Sequence, residues 1–80
     1  MGTLRGTVRD SEGLGLLLQQ GRLAAGLTQR QLAGQLNVSQ SYIWALESGK
    51  DVKVLDRIFA VMRATGVTMT LEVPDGQPQR

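Results

Sequence analysis

The sequence predicts a mainly α-helical domain of four to five helices that ends in one β-strand. Three observations predict it. Apolar residues recur at helical spacing in four successive stretches, each opened by a capping residue and closed by Gly or Asn. The period then switches to two over residues 67–73. The chain has 80 residues with no cysteine and no histidine. A domain of that size buries only ~60% of its unfolded surface and usually needs reinforcement. Disulfides and thiolate or imidazole metal sites are excluded by composition, and no metal or cofactor is expected. A second protein chain is the reinforcement that remains.

Residues 1–10 alternate loosely, with Leu4, Gly6 and Val8 against Arg5, Thr7 and Arg9. They read as a flexible or extended N-terminal arm, since chain ends fray. Residues 11–66 form the helical domain. Asp10 or Ser11 caps the first helix, and Leu14, Leu17 and Leu18 recur at i, i+3 and i+4, with Leu16 beside them. Leu23 and Leu27 continue the stripe. Gly13, Gly15 and Gly21 lower its propensity, each by ~1 kcal/mol relative to Ala. The helix runs to about Ala25, and Gly26 suits a left-handed cap.

Thr28 and Gln31 form a capping box for the second helix, Gln29–Leu36, which buries Leu32, Ala33 and Leu36. Asn37 ends it, because Asn tolerates the left-handed conformation. Ser39 caps a third helix over residues 40–47, with Ile43 and Leu46 inward and Gln40, Ser41, Trp44 and Ala45 outward. Asp51 is a cap for the fourth, about residues 52–65, whose stripe is Leu55, Ile58, Phe59 and Met62. Gly66 closes it. The strand follows, with Val67, Met69, Leu71 and Val73 on one face. Residues 74–80, bounded by Pro74, are expected to be disordered.

The net charge of +2 permits nucleic-acid binding without demanding it. The longest apolar run, residues 14–18, is far too short to span a membrane. The first ten residues lack the apolar core of a secretory signal. The expectation is a cytoplasmic chain with no membrane partner. The run Ser48-Gly49-Lys50-Asp51 lacks the upstream Gly and following Ser/Thr of a phosphate loop, and no carboxylate pair has an identifiable cleft. Neither an enzyme nor a small-molecule substrate is expected.

Two short helices joined by a tight turn make a helix-turn-helix unit. Residues 29–48 satisfy its constraints together. Ala33 sits where the second helix must approach closely, and Asn37 occupies the turn. Leu32, Leu36, Val38, Ile43 and Leu46 fill the apolar places, while Ser39, Gln40 and Ser41 face out.

With these residues in place, LTQRQLAGQLNVSQSYIWALESGK resembles the Xre/Cro-repressor helix-turn-helix family, over about residues 14–73. The resemblance implies a lambda-repressor-like domain that represses an operator. Asn37 departs from the glycine usual in the turn. The terminal TGVTMTLEV is similar to that of HipB-type antitoxins and related small regulators, which end in a dimer-forming strand. That likeness implies autoregulation of an operon and neutralisation of a toxin, so a toxin protein joins operator DNA and a second copy as an expected partner. The resemblance also sets Arg22 and Glu47 across from each other as a structural pair.

The N-terminal end of a recognition helix enters the major groove. Gln40 stands there and can pair bidentately with adenine, worth ~1–3 kcal/mol of discrimination. Ser41 is a less selective reader, and Ala45 can touch a thymine methyl. The family resemblance points to the same three positions. Trp44, the only tryptophan, is a fourth candidate base contact. It is also suited to lie against sugar–phosphate, to anchor a protein partner, or to fold back as partial core. Candidate phosphate contacts are Gln29, Arg30, Ser39, Tyr42 and Lys50.

A single strand leaves its backbone unpaired. A two-fold axis supplies an identical strand, which makes Val67, Met69, Leu71 and Val73 the expected homodimer interface. Pairing within the chain to residues 3–8, or with another protein's sheet edge, are the alternatives. Three functions compete: a repressor that is the antitoxin of a toxin–antitoxin pair, a solitary Xre regulator without a toxin, and an interaction module that has lost DNA binding.

Overall fold

A computed structural model describes residues 3–50 and 53–74. The order is β1 (Thr3–Val8), α1 (Ser11–Ala24), α2 (Gln29–Leu36), α3 (Gln40–Ser48), α4 (Lys53–Thr65) and β2 (Met69–Pro74). The expected helices 1 to 3 appear within a residue of their expected bounds. Asp51, expected to cap α4, lies outside the described residues, as do residues 75–80.

The caps follow from residue chemistry. Asp10 has extended backbone and accepts a 2.7 Å hydrogen bond from Gly13 N–H, so Asp10 is the cap of α1. Ser11, the other candidate, is buried and donates to Asp56 at 2.8 Å, tying α1 to α4. Thr28 Oγ1 accepts from Gln31 N–H at 3.0 Å while Gln31 Oε1 accepts from Thr28 N–H at 2.8 Å, the reciprocal capping box. Gly26, Gly49 and Gly66 close helices at positive φ, and Asn37 does so at φ 58°.

The two ends of the chain differ from expectation. Thr3–Val8, within the expected flexible or extended arm, is a β-strand that pairs antiparallel with β2, the in-chain alternative, with Gly6 opposite Leu71 and Val8 opposite Met69. The strand expected to find its mate across a homodimer has one in its own chain. β2 also begins at Met69 rather than residue 67 and includes Pro74, so Val67 precedes it and is exposed. The physical reason lies in β1. Its own alternation turns Gly6 and Val8 inward, and Arg5 on the outer face forms an ion pair with Glu72 of β2. At Gly6 an added Cβ would stand 3.2 Å from Leu17 Cδ1, so glycine lets the sheet settle onto α1.

Among the described residues the buried apolar core is small: Val8, Ala33, Ile43, Phe59 and Val73. Leu71 and Met69 are half-buried on the same sheet face as Val73. Several residues expected inside are not. Leu36 is 57% exposed and Ile58 43%. On α1, Leu16, Leu18 and Leu23 are exposed as well. Of the eight residues of α2 only Ala33, at the close-contact position, is fully buried.

Candidate nucleic-acid interface

The unit α2–turn–α3 is set by a one-residue reversal. Asn37 (φ 58°, ψ 46°) turns the chain, and Val38 N–H bonds back to Ala33 C=O at 3.0 Å. Ser39 then resumes extended backbone and caps α3, its Oγ accepting from Tyr42 N–H at 3.1 Å. The small Ala33 and the inward Ile43 fill the angle between the helices.

The C-terminal end of α3 is locked. Glu47 is buried and receives Arg22 Nε at 2.6 Å and Arg22 Nη2 at 3.0 Å, a two-pronged pair. Arg22 also donates to Leu27 C=O at 2.8 Å, and Gln29 Nε2 donates to Glu47 at 3.0 Å. Burial pushes the Glu47 carboxyl up, but the bonds from Arg22 and Gln29 outweigh it and hold the group below the ordinary carboxylate value. The bond to Glu47 raises Arg22 further above its already high value. One cluster therefore joins α1, the α1–α2 connection, α2 and α3.

Two glycines make that approach geometrically feasible. A Cβ on Gly15 would stand 2.2 Å from Glu47 O, so α1 passes directly over the last turn of α3. A Cβ on Gly49, at φ 72°, would stand 2.7 Å from Glu12 backbone atoms. Sequence reasoning counted Gly15 as a cost in helix propensity and missed its packing role. The available signal was a glycine on the apolar stripe side of a leucine-rich helix.

The N-terminal end of α3 is open. Gln40, Ser41, Tyr42 and Trp44 are all exposed, and Ala45 is half-exposed one turn on. Ser39 and Ser41 hydroxyls lie 3.2 Å apart. Trp44 is 51% exposed, so it is not folded back into the core. Lys50 places its ammonium 5.6 Å from the centre of the Trp44 ring, within cation–π range. Arg30 is exposed on the first turn of α2. Among the candidate phosphate contacts, Gln29 has its side-chain amide committed to the buried Glu47, while the Ser39 hydroxyl accepts the cap bond of α3. No helix among the described residues is long and apolar enough to cross a membrane.

A capped pair of short helices, locked at one end and bare at the other, is the geometry of a DNA-reading helix-turn-helix. A family model for the helix-turn-helix domain matches residues 13–72. The chain belongs to that family, and it is a DNA-binding regulator. No curated protein and no solved structure matches it.

Proposed function

We propose that the protein is a homodimeric, sequence-specific repressor of Xre type, acting as a HipB-like antitoxin that represses its own operon and neutralises a toxin. The observation that carries the reading part is the bare N-terminal half of α3 on an immobilised C-terminal half. Gln40 and Ser41 read base edges, with Ala45 and Trp44 alongside. Arg30, Ser39, Tyr42 and Lys50 hold phosphates, and the Gln29 side chain serves the scaffold while its place at the start of α2 favours an anion.

The dimer reading is supported by β2's second edge. Among the described residues β2 pairs only with β1, which leaves its other edge without a strand. Beside β2 lies an apolar groove of ≈ 510 Å³, lined by Leu17, Leu18, Leu32 and Leu36 together with Leu71 and Val73. Antiparallel pairing of two β2 strands centred on Leu71 sets Met69 opposite Val73 of the other copy, and Glu72 opposite Thr70. No like charges then face each other, and the added apolar side chains lie on the groove side. A four-stranded sheet with two reading helices serves half-sites ~34–36 Å apart.

The test is a fluorescence titration of the protein on the DNA upstream of its own gene. Selective binding that Gln40→Ala and Ser41→Ala make weaker and less selective is expected; unchanged or non-selective binding overturns the base assignment. Sedimentation tests the dimer: Leu71→Glu is expected to give a monomer with weaker DNA binding, and a persistent dimer refutes strand pairing. Co-expression with the product of the adjacent gene tests the antitoxin part. A harmless neighbour leaves a solitary regulator.

A further inference from the structure

The outer face of α4 is neither core nor part of the reading surface. Val54, Ile58 and Val61 recur at i, i+4 and i+7 and form one straight stripe, 67%, 43% and 61% exposed. Exposed Val67 prolongs it past the helix end, and a shallow trough of ≈ 320 Å³ runs along it. Isolated exposed aliphatics are ordinary, but four in a row on one trough are an interaction surface.

Charge narrows the occupant. Among the described residues, Arg57 is the one charged residue lining the trough. One turn back on the same flank stands Lys53, which shares a second depression with Arg57, Asp56 and Ala60. Asp56, the single acidic residue of α4, accepts the Ser11 hydroxyl, and Lys53 and Arg57 lie between it and the stripe on the helical wheel. The surface is therefore an apolar ridge with a basic margin. A second copy fits it poorly. Antiparallel two-fold packing of α4 on itself sets both copies' Lys53 and Arg57 along one edge with no carboxylate of α4 facing them, and parallel packing aligns the two helix dipoles. A straight stripe of about two turns suits a helix rather than an extended segment.

We infer that the outer face of α4 docks an acidic amphipathic helix of another protein, its apolar residues on Val54, Ile58 and Val61 and its carboxylates on Arg57 and Lys53. This surface lies apart from α3 and from the β2 groove, so the inference stands independently of the repressor and antitoxin readings.

The experiment uses the full chain and two designed sixteen-residue helical peptides with the same leucine face, one flanked by Glu and one by Lys, followed by fluorescence anisotropy. Saturable binding of the Glu peptide, at least tenfold tighter than the Lys peptide, is expected. Arg57→Glu is expected to invert that preference. Val61→Asp, and separately Val54→Asp should the first unfold by circular dichroism, is expected to abolish binding of the Glu peptide while DNA titration is unchanged. Equal binding of both peptides, or of neither, overturns the proposal. So does a switch from dimer to monomer on Val61→Asp, which would make a second copy the occupant. A loss of DNA affinity on Arg57→Glu as large as on Lys50→Ala also overturns it, by making the basic margin a phosphate contact.

Discussion

The two halves of α3 are nine residues of one helix under opposite rules. At the C-terminal half every polar group is used: Glu47 takes bonds from Arg22 and Gln29, and glycines at 15 and 49 let neighbouring backbone close in. At the N-terminal half the polar side chains Gln40 and Ser41 stand in solvent. The contrast teaches how a short helix can serve as a probe. Eight or nine residues are too few to hold a helix in water by propensity alone. Rigid attachment at one end makes the free end hold its direction, and a partner then meets side chains whose ordering has already been achieved by folding.

The sharpest way to break the contrast is at its locked end. Glu47→Ala strands Arg22 half-buried with no anion, and removing one partner of a buried pair costs about 3–5 kcal/mol. In so small a core that is a large share of total stability. Urea unfolding is expected to show a much lower midpoint at an unchanged slope. The same group gives a pH dependence of known sign. Its folded pKa lies below the unfolded value, so its stabilisation is present above the ordinary carboxylate pKa of about 4.3 and is lost as pH falls through the lowered folded value. The stability gap between the wild type and Glu47→Gln is therefore expected to shrink on acidification. A gap that widens would refute the assignment.

These features were unequally legible in the sequence. Caps are local chemistry, so Thr28 with Gln31, Ser39 and the left-handed Asn37 could be read from a few neighbours, and helices α2 and α3 followed. Burial is not local. Leu36 fits an inward position on the helical wheel, yet no element covers it in the chain as described. Gly15 carries only a faint signal, a glycine beside the leucine stripe, and its role becomes plain once the path of α1 over α3 is known. β1 is a similar case: Leu4, Gly6 and Val8 alternate too weakly to announce a strand, and only the register with β2 makes the pattern meaningful. Among site residues, Gln29 stood at the right place for a phosphate, but the direction of its amide depends on Glu47, eighteen residues away.

Gly15→Ala tests whether the close approach of α1 matters to the reading end. Alanine normally improves a helix interior by about 1 kcal/mol. Here the added carbon meets backbone, which cannot swing aside, so a net loss of about 1–3 kcal/mol is expected. DNA affinity is expected to fall as well, because α3 is displaced. A variant as stable as the parent would show that the contact is slack. At the open half the expected split is reversed. Gln40→Ala touches no internal partner, so its stability is expected to move by less than about 0.5 kcal/mol, while discrimination at one base pair falls by about 1–3 kcal/mol.

The smallest effect separates two roles for Trp44. Lys50 sits over its ring, and an exposed cation–π contact is worth about 0.5–1 kcal/mol. If the ring serves to hold the ammonium toward a phosphate, Trp44→Ala weakens binding by that small amount for every sequence. Lys50→Ala then lowers the salt slope of the affinity by about one, and the double variant is no weaker than Lys50→Ala alone. If Trp44 instead packs on thymine methyls, its removal alters the preference among sequences and its cost adds to that of Lys50. Measuring the two single variants and the double at several salt concentrations decides between a ring that positions a charge and a ring that reads a base.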